Sequence, residues 1–85
     1  MRNNSVSSDP QSYIKKEARA TDYTDLGEVQ EVGMDFILTQ KGILKREIFS
    51  IPRGLFDRFD GDYVWFRITE EEAKHYSSNK KDTID

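Results

Sequence analysis

The sequence has no cysteine and only one histidine among its 85 residues. Without thiols it has no disulfide, no thiolate metal site and no thiol nucleophile. Long apolar runs are missing too. Nothing approaches the ~18 residues of a membrane span. The opening MRNNSVSSDPQS has no apolar core of the kind a signal peptide needs. A soluble, cytoplasmic protein with no direct membrane insertion is expected. Positive charge is not in excess either. Thirteen Lys and Arg face sixteen Asp and Glu, for a net charge of -3, with the signs well mixed. Such a balance argues against a general nucleic-acid binder, which must neutralise many phosphates. No glycine-rich phosphate loop is present, and Ser50 sits in no nucleophile elbow.

What is present is a series of short strand-like runs. A chain of this length holds one small domain near the lower limit for independent folding. Composition divides it into a flexible N-terminal tail over residues 1–14, a domain over 15–77 and a flexible C-terminal tail over 78–85. The tails are too polar to offset the entropy of ordering. SYIKKEARA, residues 12–20, reads either as a helix capped by Ser12 or, in its later part, as a strand. Asp22 and Asp25 suit the turn that follows.

From Leu26 the pattern is beta. LGEVQEV ends at Gly33, DFILTQK at Gly42 and REIFSIP at Pro52. Pro52 cannot donate to a ladder and belongs at a strand end or edge. LFDRF and YVWFRI flank the tight-turn pair Asp60–Gly61. Thr69-Glu70-Glu71-Glu72 then carries the capping-box pattern of a short helix reaching about Tyr76. Five or six strands and one terminal helix make an all-β fold, a small barrel or curled sheet.

Alternation assigns the faces. Val64, Phe66 and Ile68 form the core side of the last strand, and Tyr63, Trp65 and Arg67 point away. Phe36 and Leu38 are expected to share the inward face with Phe49 and Ile51. Ile37 and Ile48 then fall outside, and Phe56 and Phe59 close the barrel. The outward set Ile37, Ile48, Tyr63 and Trp65 would form an apolar patch of the kind that marks interaction sites. Covering of that face by Tyr13 and Ile14, or by Tyr76, is the competing reading. Ile43 and Leu44, in the connector of a hairpin, either plug the barrel end or project as a docking finger.

These segments, in this order, resemble the PRC-barrel domain in its short stand-alone archaeal and bacterial form. The resemblance is carried by Leu26, Gly27 and Val29; Lys41 and Gly42; Phe49, Ile51 and Pro52; and Val64, Phe66, Ile68 and Thr69. It covers about residues 17–76 and makes Glu17 to Ala20 the first strand. It departs from the family pattern where a D-G turn is replaced by Asp22-Tyr23-Thr24-Asp25. The family is similar to the C-terminal domain of a ribosome-maturation factor and to the cytoplasmic part of the photosynthetic reaction-centre H subunit. Its archaeal members include cell-division adaptors. The resemblance implies a non-enzymatic, cofactor-free protein-binding adaptor, and the outward apolar patch adds the expectation of a homodimer. Its partner-binding residues would be drawn from Ile37, Ile43, Leu44, Ile48, Tyr63, Trp65 and Arg67. The alternative is an RNA- or ribosome-associated small barrel. Lys41, Lys45, Arg46, Arg53, Arg58 and Arg67 lie near aromatic residues, and cations among aromatics can bind single strands.

Metal chemistry has thin support. Glu71 and His75 stand four apart, as two ligands on one helix face would, but a zinc site takes three or four. Glu70, Glu71 and Glu72 are explained by capping. DRFDGD lacks the downstream glutamate of a calcium loop.

Overall fold

The structure is a computed structural model and describes residues 9–77. The terminal stretches 1–8 and 78–85, expected as flexible tails, lie outside the described residues.

The fold is all-β: six strands in one sheet and one short C-terminal helix. The strands are β1 (Glu17–Arg19), β2 (Asp25–Val32), β3 (Phe36–Lys41), β4 (Glu47–Pro52), β5 (Phe56–Phe59) and β6 (Tyr63–Phe66). Their order across the sheet is β4-β3-β2-β1-β6-β5. Neighbours run antiparallel except β1 and β6, which pair in parallel with Ala18 opposite Val64. Phe49 and Ile51 from one end of this order share a single core cluster with Val64 and Phe66 from the other. The sheet therefore curls around one interior, with β4 and β5 as its two margins.

Three local features set this shape. Gly27 in β2 has φ +93°, and a Cβ there would run into the backbone carbonyl of Gln40 on β3. Only glycine allows the two strands to approach so closely. Thr39 is fully buried, and its hydroxyl donates to the Leu26 carbonyl at 2.5 Å. Asp25 Oδ1 accepts from the Gly27 amide at 2.8 Å and from Arg19 at 2.9 Å. That pins β1 to the start of β2.

The helix α1 (Glu70–Ala73) begins at a complete capping box. Thr69 accepts from the Glu72 amide, and Glu72 accepts from the Thr69 amide. Its last turn tightens into a 3-10 segment over Lys74–Tyr76. Ser77 then bridges to Phe49, so the C-terminal segment lies along the outer margin of β4.

Two expectations are corrected here. The core side of β3 is Ile37 and Thr39, both at 0% exposure, while Phe36 is exposed and Leu38 half-buried. The register requires this. Ile37 lies opposite Ile51 and Thr39 opposite Phe49, and directly opposed residues share a face. Because Phe49 and Ile51 point inward, Ile37 must do so as well.

The second correction concerns residues 9–14, which composition placed in a tail. Pro10–Tyr13 form a 3-10 turn capped by Asp9, which accepts from the Gln11 amide at 3.0 Å. Tyr13 is buried, its ring 5.2 Å from that of Phe56 and 5.1 Å from that of Phe59.

Candidate interaction surfaces

The residues expected to form one outward patch divide among three places. Ile37 is in the core and belongs to none of them. Ile48 lies on the outer face at the β4 margin. Tyr63, Trp65 and Arg67 lie at the far side of the sheet, with β3, β2 and β1 between. Ile43 and Leu44 occupy the tip of the β3–β4 hairpin.

The first surface is the outer face of β3 and β4. Cross-strand partners Phe36 and Pro52, Leu38 and Ser50, and Gln40 and Ile48 all point outward there. Beside it, an open groove of about 440 Å³ is lined by Met34, Phe36, Leu38 and Ser50 together with Glu31 and Gly33. Alternation alone puts Phe36 and Leu38 inside, and Met34, in the turn before β3, carries no alternation signal. The register sum of the hairpin, fixed by Phe49 and Ile51 inward, was the signal that could have found the first two.

The second surface is the hairpin tip. β3 and β4 pair up to Lys41 opposite Glu47, leaving residues 42–46 as the connector. Gly42 turns the chain at φ +89°. Ile43 is 85% exposed and Leu44 95% exposed, so neither plugs the barrel. Of the two roles left open for them, the projecting one matches the geometry. Lys45 and Arg46 follow on the same exposed turn, and neither makes an ion pair among the described residues.

The third surface is aromatic and lies on β1, β5 and β6. The Trp65 ring centroid is 5.9 Å from that of Tyr63 and 5.5 Å from that of Tyr23. Arg19 stacks over Tyr63 at 4.9 Å and Arg58 over Trp65 at 5.0 Å. These two cations and Tyr23 half-bury the aromatic pair. Of the expected covers, Tyr13 packs instead against Phe56 and Phe59, and Ile14 against the core cluster. Tyr23 is 74% exposed and has φ +71°, an uncommon conformation for a bulky residue. Its neighbour Asp22 accepts from the Glu70 amide at 3.1 Å, which lowers its pKa and ties the turn to the start of α1.

Carboxylates hold this third surface together. Asp60 accepts from the Trp65 indole at 2.9 Å and from the amides of Tyr63 and Asp62 at 2.7 and 2.9 Å. These bonds, the indole's foremost, lower its pKa to about 2. Asp57 pairs with Arg58 at 2.6 Å and approaches Arg67 at 3.7 Å, while Arg67 also donates to the Gly54 carbonyl at 3.0 Å. Arg19 is held by Asp25 and Glu17. Arg53 donates to the Gly33 carbonyl at 2.7 Å. The arginines beside the aromatics are therefore already committed to partners within the chain.

Among the described residues, no group of three or more His, Cys, Asp or Glu is placed to hold a metal ion. His75 and Glu71 are both exposed. No helix of the described residues is long and apolar enough to cross a membrane. In comparisons with known proteins, no family model, curated protein or solved structure matches the chain.

Proposed function

We propose that this chain is a non-enzymatic protein-interaction module of the PRC-barrel type, acting in the cytoplasm, that self-associates through the outer face of its β3–β4 hairpin. One observation carries the proposal. Of the six exposed large hydrophobic side chains among the described residues, five (Met34, Phe36, Ile43, Leu44 and Ile48) lie on this hairpin and the turn before it. Isolated apolar residues on a surface are ordinary. A concentration on one supersecondary unit is a reason to expect a partner. The family resemblance supplies the class of function, and an archaeal cell-division adaptor is the most concrete role it offers. The RNA-binding alternative draws no support from Arg19, Arg58 and Arg67, whose charges are matched by Glu17, Asp25 and Asp57.

The test is the double variant Phe36→Asp/Ile48→Asp. Both side chains point outward, so the fold should persist by circular dichroism. Light scattering should give two chains per particle for the parent and one for the variant, because paired carboxylates across the apolar centre of an interface are strongly unfavourable. A parent that stays monomeric at high concentration, or a variant that still dimerises, removes this reading.

A further inference from the structure

The hairpin tip has a composition that the outer sheet face does not share. Its apex is two adjacent aliphatics, Ile43 and Leu44, almost wholly in water. The next two residues are Lys45 and Arg46. No carboxylate within the described residues pairs with either cation. The acid at the base of this turn, Glu47, accepts from the Ser77 hydroxyl at 2.9 Å instead. The other described arginines differ. Arg19, Arg58 and Arg67 each have a carboxylate partner, and Arg53 a backbone carbonyl. Among the described residues Arg46 is thus the one arginine with no such partner, and with Lys45 it adjoins the two most exposed aliphatics.

We propose that the tip docks on an anionic lipid surface, with Ile43 and Leu44 entering the boundary between headgroups and acyl chains and Lys45 and Arg46 pairing with lipid phosphates or carboxylates. Two features favour a lipid surface over a protein. The tip is a five-residue convex turn, residues 42–46, with only two apolar side chains. Against a rigid protein it would need a matching pocket, whereas a bilayer closes around any small projection. Apolar insertion together with basic residues is also the pairing that holds peripheral proteins on anionic membranes. Gly42 permits this presentation: φ is +89° and a Cβ there would meet the Lys45 carbonyl at 2.6 Å, so the tight turn that projects the tip requires glycine. The absence of a long apolar run in the sequence bears on spanning a bilayer, and a two-residue tip does not span one.

A single tip of this size binds weakly and reversibly. Dimerisation through the neighbouring face would present two tips and raise the avidity. The docking itself does not depend on that association.

The experiment is co-sedimentation of the full chain with vesicles of phosphatidylcholine alone and of phosphatidylcholine mixed with phosphatidylserine, at low and moderate salt. Binding is expected only to the mixed vesicles and should weaken with salt. Ile43→Ser/Leu44→Ser and Lys45→Glu/Arg46→Glu should each lower the partition coefficient about tenfold or more, with circular dichroism and particle mass unchanged from the parent. No binding of the parent to the anionic vesicles overturns the proposal, as does equal binding of parent and variants. A tip variant that loses self-association would assign the tip to a protein contact and would equally overturn it. Phe36→Asp/Ile48→Asp separates the two proposals, since it should abolish dimerisation while leaving some vesicle binding by the monomer.

Discussion

Asp60 organises more of the aromatic surface than any other single side chain. One carboxylate oxygen receives the amides of Asp62 and Tyr63 and so shapes the β5–β6 turn, and the other receives the Trp65 indole. The turn and the outward pose of Trp65 are consequently one unit. Its carboxyl, ordinarily near 3.8, is lowered to about 2 in the folded protein. A depressed carboxyl contributes stability above its unfolded pKa and loses it as the pH falls through the folded one. The contribution of Asp60 is complete above about pH 4 and disappears toward pH 2. Trp65 is the only tryptophan, so its emission reports the change directly. We expect a spectral transition centred near pH 2, where the Asp60 carboxyl of the folded protein takes up its proton, and none in Asp60→Asn. An identical transition in the variant would assign it to general acid unfolding. The Asp60–Gly61 turn was readable from sequence because turn chemistry is local. The bond to Trp65 was not, since nothing in a strand pattern records which polar group an outward indole finds.

At the scale of an element, β3 is the informative case. Its two faces differ in apolar content: Phe36 and Leu38 with Gln40 on one side, Ile37 with Thr39 and Lys41 on the other. Weighing side chains chooses the first for the core. The fold chooses the second, because Ile37 and Thr39 lie opposite Ile51 and Phe49 and because the Thr39 hydroxyl is satisfied by the Leu26 carbonyl. A buried polar group with its hydrogen bond made is no obstacle to burial, but a polar/apolar pattern records it as one. The consequence is measurable. Ile37→Ala should cost about 2–5 kcal/mol in urea unfolding, the range for a fully buried aliphatic. Ile48→Ala on the outer face should cost about 1 kcal/mol or less. Equal losses at both positions would contradict the facing described. Features whose signal is contained within a few residues were legible throughout: the strand runs, the glycine turns, the capping box from Thr69 to Glu72. Facing on β3 was not, because it depends on pairing with β4.

On the scale of the whole molecule, the question is how a curled sheet with unpaired margins keeps water from its core. β4 and β5 end the strand order without pairing to each other. Each margin is attended by a terminal segment instead. On the β4 side, Ser77 bridges to Phe49 and its hydroxyl donates to Glu47. On the β5 side, the 3-10 turn Pro10–Tyr13 brings the Tyr13 ring against Phe56 and Phe59, and the Phe56 ring stands 6.4 Å from Phe66 in the core. The amide of Lys15 then donates to the Val29 carbonyl at 2.7 Å, and the amide of Val29 to the Lys16 carbonyl at 2.9 Å, fastening this segment to β2. Composition placed residues 9–14 outside the domain because they are short of apolar groups, yet one ring suffices when the core is this small. A domain of this size has only a few kcal/mol of net stability. Removing a buried aromatic commonly costs about 3–5 kcal/mol. Tyr13→Ala is therefore expected to leave the protein largely unfolded or molten at ambient temperature. Tyr13→Phe, which keeps the stacked ring, should stay within about 1 kcal/mol of the parent. Thermal unfolding followed by near-ultraviolet circular dichroism distinguishes the two. If Tyr13→Ala melts with the parent, the N-terminal turn is an ornament on a core that the sheet closes by itself.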